Sequence, residues 1–123
     1  MSIRFRVTHF IATISKHEDG KIDTSNDFQG EDVFFARITD ALNYAKGFVM
    51  KNRNVGTDVH LSATVSYEEY DNDSAEWIEE KRLYTYNVYN GKTRHYTNGK
   101  AIREFKKTEP PITFENLFPS FAG

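Results

Sequence analysis

Within residues 58–70, polar and apolar side chains alternate without interruption as far as Glu68, and this pattern constrains the fold more than any other in the chain. Its apolar positions are Val59, Leu61, Ala63, Val65 and Tyr67. A period of two is typical of a β-strand with one buried face. Turn-forming residues follow at 71–74, and a second extended segment runs to Tyr89. The sequence therefore predicts an antiparallel hairpin.

The register of this hairpin follows from its apolar face. Val65 and Tyr67 must share a face with Tyr84 and Tyr86, so each cross-strand pair must join an even-numbered to an odd-numbered residue. A slip of one residue would break the core.

Charge favours the same hairpin. The acidic end of the first strand, Glu68 and Glu69, is expected near Lys81 and Arg82 at the start of the second. Cross-strand ion pairs contribute only about 0.2–1 kcal/mol each, but they help to select a register.

Two further strands are predicted on either side of the hairpin. Residues 3–15 alternate, but the apolar phase changes near Thr8 and His9, which indicates either a β-bulge or a strand buried on both faces beyond His9. Asn90-Gly91 is typical of a type I′ turn and predicts a strand over 92–97.

One helix is predicted between the first strand and the hairpin. Thr39 and Asp40 are favourable at a helix N-terminus, where the Thr39 hydroxyl can accept a first-turn N–H. The apolar stripe that follows comprises Ala41, Leu42, Ala45, Phe48 and Val49. Residues 52–56 supply a stop signal. Before the helix, residues 16–32 are predicted to be a loop, and Val33 to Arg37 either a short extended segment or the start of a longer helix.

These elements predict an α+β fold: a single domain with an antiparallel sheet of about four strands in β-α-β-β-β order and one amphipathic helix on one face. The domain is expected to span residues 1–109. Within it, Asn98-Gly99 marks a turn, and residues 100–107 suit either a helix or a short edge strand. Residues 110–123 form a C-terminal tail expected to pack on the domain or on a partner.

Composition narrows the class of protein. The chain has 123 residues, a length typical of one domain, and it contains no cysteine, which excludes disulfides and thiolate chemistry. Its N-terminus lacks the apolar run of a signal peptide, and no stretch is apolar enough to cross a membrane. A cytoplasmic location is therefore expected. The four histidines follow no metal-ligand spacing, and no nucleotide or catalytic motif is present, so no cofactor, metal or catalytic residue is predicted.

Charge is unevenly distributed along the chain. Residues 57–80 hold eight acidic and no basic residues, whereas residues 81–107 hold eight basic residues and a single acidic one. The basic segment interleaves aromatic side chains, a pattern that favours stacking of single-stranded nucleic acid. The candidate nucleic-acid-binding residues are Tyr89, Lys92, Arg94, His95 and Tyr96.

The acidic segment and the tail indicate a different function, binding of another protein. Acidic residues surround Trp77 and Ile78, and such an apolar centre in a charged surface is typical of an interaction hot spot. The tail adds large apolar residues that need burial against this chain or a second copy. The candidate protein-binding residues are Trp77, Ile78, Glu79, Glu80, Phe114 and Phe118.

The sequence favours a small non-enzymatic protein–protein interaction module, an adaptor, regulator or inhibitor that forms a homodimer or binds another protein and does not bind a membrane. The alternative is a nucleic-acid-binding domain that uses the basic, aromatic hairpin over 81–107. Two further alternatives are an acidic inhibitor that mimics DNA and a small-ligand-binding fold with a pocket between helix and sheet.

Overall fold

The segment with the clearest alternation forms a central strand of the sheet. A computed structural model of the protein describes residues 2–52, 58–117 and 119–121. The strands are β1 (Ile3–Lys16), β2 (Ile22–Gln29), β3 (Val33–Phe35), β4 (Val59–Asp71), β5 (Glu76–Tyr89), β6 (Lys92–Thr97) and β7 (Ser120–Phe121). The helices are α1 (Ile38–Asn52), α2 (Gly99–Lys107) and the short α3 (Phe114–Leu117).

The strands form one antiparallel sheet, and the α+β class predicted from the sequence is confirmed. The order across the sheet is β6-β5-β4-β1-β3-β7, and β2 pairs with the remaining length of the outer edge of β1. The predicted count of about four strands is too low, since six strands follow one another and β2 adds a seventh. The predicted single helix is also joined by a second, α2.

Two of these strands form from segments in which the sequence predicts no strand. The predicted loop over 16–32 contains β2, which pairs with β1 from Phe10↔Gln29 to Lys16↔Ile22. A bulge interrupts the pairing, because Ile11 lies opposite Phe28 and Ala12 opposite Asn26. Backbone groups make this ladder, so polar composition does not prevent it. The tail contributes β7, which pairs with β3.

The phase change in β1 reflects burial on both faces and not a bulge at Thr8 and His9. β1 pairs with β4 in unbroken register from Ile3↔Glu69 to Thr13↔Val59. Val7 and His9 are buried on one face, and Ile14 is buried on the other. The second of the two sequence alternatives is therefore the correct one.

The β4–β5 hairpin keeps the predicted even–odd register on both sides of two bulges and departs from it only between them. Val65 pairs with Tyr84 as expected, but bulges after Val65 and Tyr67 place Lys81 opposite Tyr67. The predicted ion pairs between the two strands do not form, because Glu68 faces Glu79 and pairs instead with arginines of β1.

A distant carboxylate caps α1, which begins one residue before Thr39. The backbone N and Oγ1 of Thr39 donate to Glu109, at 2.6 and 3.0 Å, so this distant carboxylate accepts a first-turn N–H and the Thr39 hydroxyl acts as a donor instead of the predicted acceptor. The buried Arg37 joins Asp40 and Glu109 at 3.2 and 3.4 Å. Of the predicted stop signal at 52–56, residues 53–56 lie outside the described residues.

The ambiguous segment over 100–107 lies in a helix. Its cap is Asn98, whose side-chain oxygen accepts a hydrogen bond from the backbone N of Ala101 at 3.2 Å. Asn98 therefore starts α2 and does not form the predicted turn with Gly99. Phe105 of this helix packs on the rings of Phe5 and Tyr67, with centroids 5.3 and 4.4 Å apart.

The core lies between the sheet and the two long helices. α1 buries Ile38, Ala41, Leu42, Ala45 and Val49 against it. The most completely buried strand residues there include Val7, Val33, Leu61, Val65 and Leu83. One face of the sheet is therefore covered, and the opposite face is not covered by α1 or α2.

Candidate nucleic-acid interface

The face of the sheet opposite α1 and α2 is called the open face below, and it carries Phe10, His60, Asn87 and Arg94. Its composition follows from the alternation of side chains along paired strands. β5 and β6 join through the Asn90-Gly91 turn, in which both residues have positive φ angles of 51° and 78°. This is the geometry of the predicted type I′ turn.

The hairpin places four of the five candidate nucleic-acid residues on the open face. Tyr89 lies opposite Lys92, Arg94 opposite Asn87, and Tyr96 opposite Thr85. All side chains of β6 are exposed. His95 belongs to the other face, where its ring lies 5.4 Å from Tyr84 and 5.9 Å from Tyr86.

A row of three rings crosses the open face from β1 to β5. The ring of His60 lies 4.8 Å from Phe10 and 5.1 Å from Tyr89, with interplanar angles of 85° and 89°. Its Nε2 is 3.1 Å from Oδ1 of Asn87. Sequence reasoning did not single out Phe10, His60 or Asn87 as site residues. The even–odd register rule is the sequence signal that could have placed His60 at this site, because it permits the observed pairing of His60 with Tyr89.

A shallow cavity of about 310 Å³ opens beside this row. Its lining residues are His60, Asn87, Tyr89, Lys92 and Arg94. Lys92 and Arg94 form no ion pair within the described part of the chain. At the margin, Nζ of Lys16 donates to Oδ1 of Asn90 at 3.1 Å, a neutral acceptor. This region, called the basic end, combines exposed cations with exposed rings and lacks neutralising carboxylates within the lining of the cavity.

The other end of the open face holds cations that already have partners. Arg4 lies between two rings, 3.7 Å from the centroid of Phe34 and 4.2 Å from that of Trp77, and its Nε donates to the buried Glu68 at 2.7 Å. Arg6 pairs with Asp32 and, at 3.4 Å, with Glu68. These residues are called the paired end. Burial lowers the pKa of Arg6, but the two carboxylates outweigh it and raise that pKa above its ordinary value.

The candidate protein-binding residues do not form one patch in the described structure. Trp77 is half-buried and packs on Arg4 and on Tyr70, at 5.3 Å. Glu79 accepts a hydrogen bond from Ser66 at 2.5 Å, while Ile78 and Glu80 border a surface depression with Glu69.

The two candidates in the tail lie apart from these acidic-segment residues along the chain. Phe114 is 80% exposed in α3. Phe118 lies outside the described residues.

Metal binding and membrane spanning find no support among the described residues. No group of three or more His, Cys, Asp or Glu side chains there is placed to hold a metal ion. Over the same residues, no helix is long and apolar enough to cross a membrane. No family model matches the chain, and no curated protein or solved structure matches it. Any function of the open face must therefore be inferred from the chemistry of that face.

Proposed function

We propose that the protein binds single-stranded nucleic acid on the open face of its sheet, at the basic end. The proposal rests on one observation: exposed aromatic rings and exposed basic side chains lie together on the face of the sheet that neither α1 nor α2 covers. Tyr89 and Tyr96 are 40% and 49% exposed, so bases can stack on them. Lys92 and Arg94 lie between these two rings, because Tyr89 is opposite Lys92 and Tyr96 follows Arg94 on the same face of β6, and they supply charge for the phosphates.

The dimensions of the face suit a short stretch of single strand. The rings and cations span β1, β4, β5 and β6, and neighbouring strands lie about 4.8 Å apart. A path across them of about 14 Å is long enough for two or three stacked nucleotides, the number that comparable antiparallel sheets bind. A duplex does not present its bases for stacking, so single strands are the expected ligand.

The formal net charge of −2 does not oppose this assignment. Acidic residues concentrate around the β4–β5 turn, where Asp71, Asp73 and Glu76 lie beyond the paired end. Glu68, the buried carboxylate of the open face, is held by Arg4 and Arg6. The cavity at the basic end is therefore lined by two cations and by no carboxylate, although the whole chain is slightly acidic.

The test is fluorescence anisotropy with labelled single-stranded oligonucleotides of about 12 nucleotides, within the range of known site sizes. Replacing Lys92 and Arg94 with Glu is expected to weaken binding at least about tenfold and to lower the slope of log affinity against log salt by roughly 1.4. The matched control is Arg103→Glu with Lys106→Glu, an equal charge change on exposed positions of α2. Equal losses in both double variants, or no binding by the unaltered protein, would refute the proposal.

A second candidate function is the protein–protein interaction module indicated by the sequence, and exposure of the tail supports it. Ile112 and Phe114 are 69% and 80% exposed, which favours docking of this segment on a second copy of the chain or another protein. The test is light scattering of the purified protein across a concentration series. A dimer that Phe114→Ser converts to a monomer is expected, whereas a monomer at every concentration excludes the homodimer.

A further inference from the structure

A cavity of about 380 Å³ lies on the helix side of the sheet, beside α1 and away from the open face. It is lined by His9, Asn43, Tyr44, Gly47, Phe48 and Lys51. The volume falls within the range typical of small-molecule sites. The lining combines aromatic walls with a few polar groups, which is also typical of such sites.

The floor of this cavity is a histidine held firmly in place. The ring of His9 is 5% exposed and makes edge contacts with Phe48 and Tyr44, at 4.8 and 5.4 Å. The hydroxyl of Tyr44 lies 3.5 Å from Nε2 of His9. Burial lowers the pKa of His9 more than the nearby Asp32, which pairs with Arg6, raises it, so the imidazole is neutral near pH 7.

Two glycines lie near this cavity, and they differ in whether a side chain would fit: Gly30 has no room for one, whereas Gly47 does. A Cβ on Gly30 would lie 2.2 Å from Nε2 of His9, so internal packing requires a glycine there. A Cβ on Gly47 would meet no atom of the described residues within 4 Å, although Gly47 lies inside α1, where glycine is unfavourable. Packing among the described residues therefore does not explain Gly47. Its effect is to leave one wall of the cavity without a side chain, so that a ligand can approach the helix backbone.

We propose that this cavity binds a small aromatic carboxylic acid. The ring of the ligand lies over Gly47 and against Tyr44 and Phe48, where the missing side chain leaves space. Its carboxylate faces Lys51, an exposed cation that forms no ion pair with the described residues. Charge complementarity and aromatic walls select this ligand class over a neutral or cationic one.

The experiment is an NMR titration of the ¹⁵N-labelled protein with 3-phenylpropionate, followed through the amides of Gly47 and Phe48. Gly47→Leu fills the open space and is expected to abolish the shifts, while Gly47→Ala preserves the fold and serves as the check on helix integrity. Loss of the shifts in Gly47→Leu with an otherwise unchanged spectrum supports the proposal. Shifts that persist in Gly47→Leu, or no shifts in the unaltered protein, overturn it.

A charge comparison tests the orientation of the acid. Lys51→Gln is expected to weaken binding at least fivefold, and the neutral analogue 3-phenylpropanol is expected to bind the unaltered protein equally weakly and to be indifferent to Lys51→Gln. The matched control is Lys46→Gln on the same helix, because Nζ of Lys46 points instead to the ring of Tyr84 at 5.9 Å. Equal effects of the two lysine variants would contradict the proposed contact.

Discussion

The two ends of the open face combine basic side chains with aromatic rings in different ways. At the paired end, Arg4 is enclosed by Phe34 and Trp77 and bonded to the buried Glu68. At the basic end, Lys92 and Arg94 are exposed and have no carboxylate partner among the described residues. The same residue classes therefore serve stability at one end and, in our proposal, binding at the other.

The difference shows that a pattern of basic and aromatic residues does not define a binding surface by itself. What matters is whether the chain supplies the counter-charge. A cation bonded to a buried carboxylate has already exchanged its water for protein groups, and binding a phosphate would require breaking that pair. An exposed cation without a partner keeps its charge available, and mutation at the two ends should therefore affect different measurements.

The largest effect is expected from Glu68→Gln at the paired end. The substitution leaves two half-buried arginines without their shared charge, so the free energy of unfolding should fall by about 3 kcal/mol in urea denaturation. Glu80→Gln, at an exposed position, should change it by less than about 0.5 kcal/mol. Oligonucleotide affinity of the folded variant should stay unchanged, and a loss of affinity would mean that the two ends are not independent.

A smaller loss of stability is expected from Trp77→Ala. This change removes the ring over Arg4 and the contact with Tyr70, together worth about 2 kcal/mol. Denaturation measures the loss, and anisotropy should show unchanged oligonucleotide binding. A stable variant that instead lost a protein partner would favour the interaction hot spot predicted from the sequence.

Tyr89→Ala should have the opposite effect, with weaker oligonucleotide binding and nearly unchanged stability. Removing one stacking ring is expected to weaken oligonucleotide binding by about 1.5 kcal/mol, close to tenfold, with little change in stability. His95→Ala is the control, because His95 lies on the helix side next to Tyr84. If His95→Ala weakened binding as much as Tyr89→Ala, the assignment of the ligand to the open face would be wrong.

The smallest expected effect is a pH dependence of the free energy of unfolding. It comes from His9, which lies on the helix side of the sheet and in neither end of the open face. Burial holds the pKa of His9 below its ordinary value, so the unfolded chain binds this proton more readily than the folded protein. The stabilising contribution of neutral His9 is present above about pH 6.5, the ordinary value, and is lost as the pH falls through the lowered pKa. Denaturation midpoints should therefore drop on acidification, and His9→Gln should reduce this dependence. An identical pH profile for His9→Gln would assign it to other groups.

Prediction from the sequence succeeded where burial imposes a short repeat on neighbouring residues. The alternation over 58–70 identified β4 because one face of that strand lies in the core. The stripe after Thr39 identified α1 for the same reason, and Asn90-Gly91 identified its turn because few residues tolerate positive φ. From that turn, the sequence could also predict that Tyr89 and Lys92 would meet.

Prediction failed where a structure depends on backbone pairing or on distant residues. β2 has no apolar repeat that could reveal it in the sequence. It forms because its backbone pairs with the edge of β1. The carboxylate that caps α1 comes from Glu109, 70 positions after Thr39. The partners of Glu68 are on β1 and not on β5, because two bulges shift the hairpin register.

The sequence by itself determined the α+β class, the central hairpin, the main helix and the separation of acidic and basic segments along the chain. Tertiary structure decided which charges are neutralised and which stay available, and it brought Phe10 and His60 beside Tyr89. The physical reason is the separation along the sequence of the residues that interact. Periodicity records whether each residue faces the core, whereas ion pairs and ring contacts form between strands whose order the local pattern does not encode.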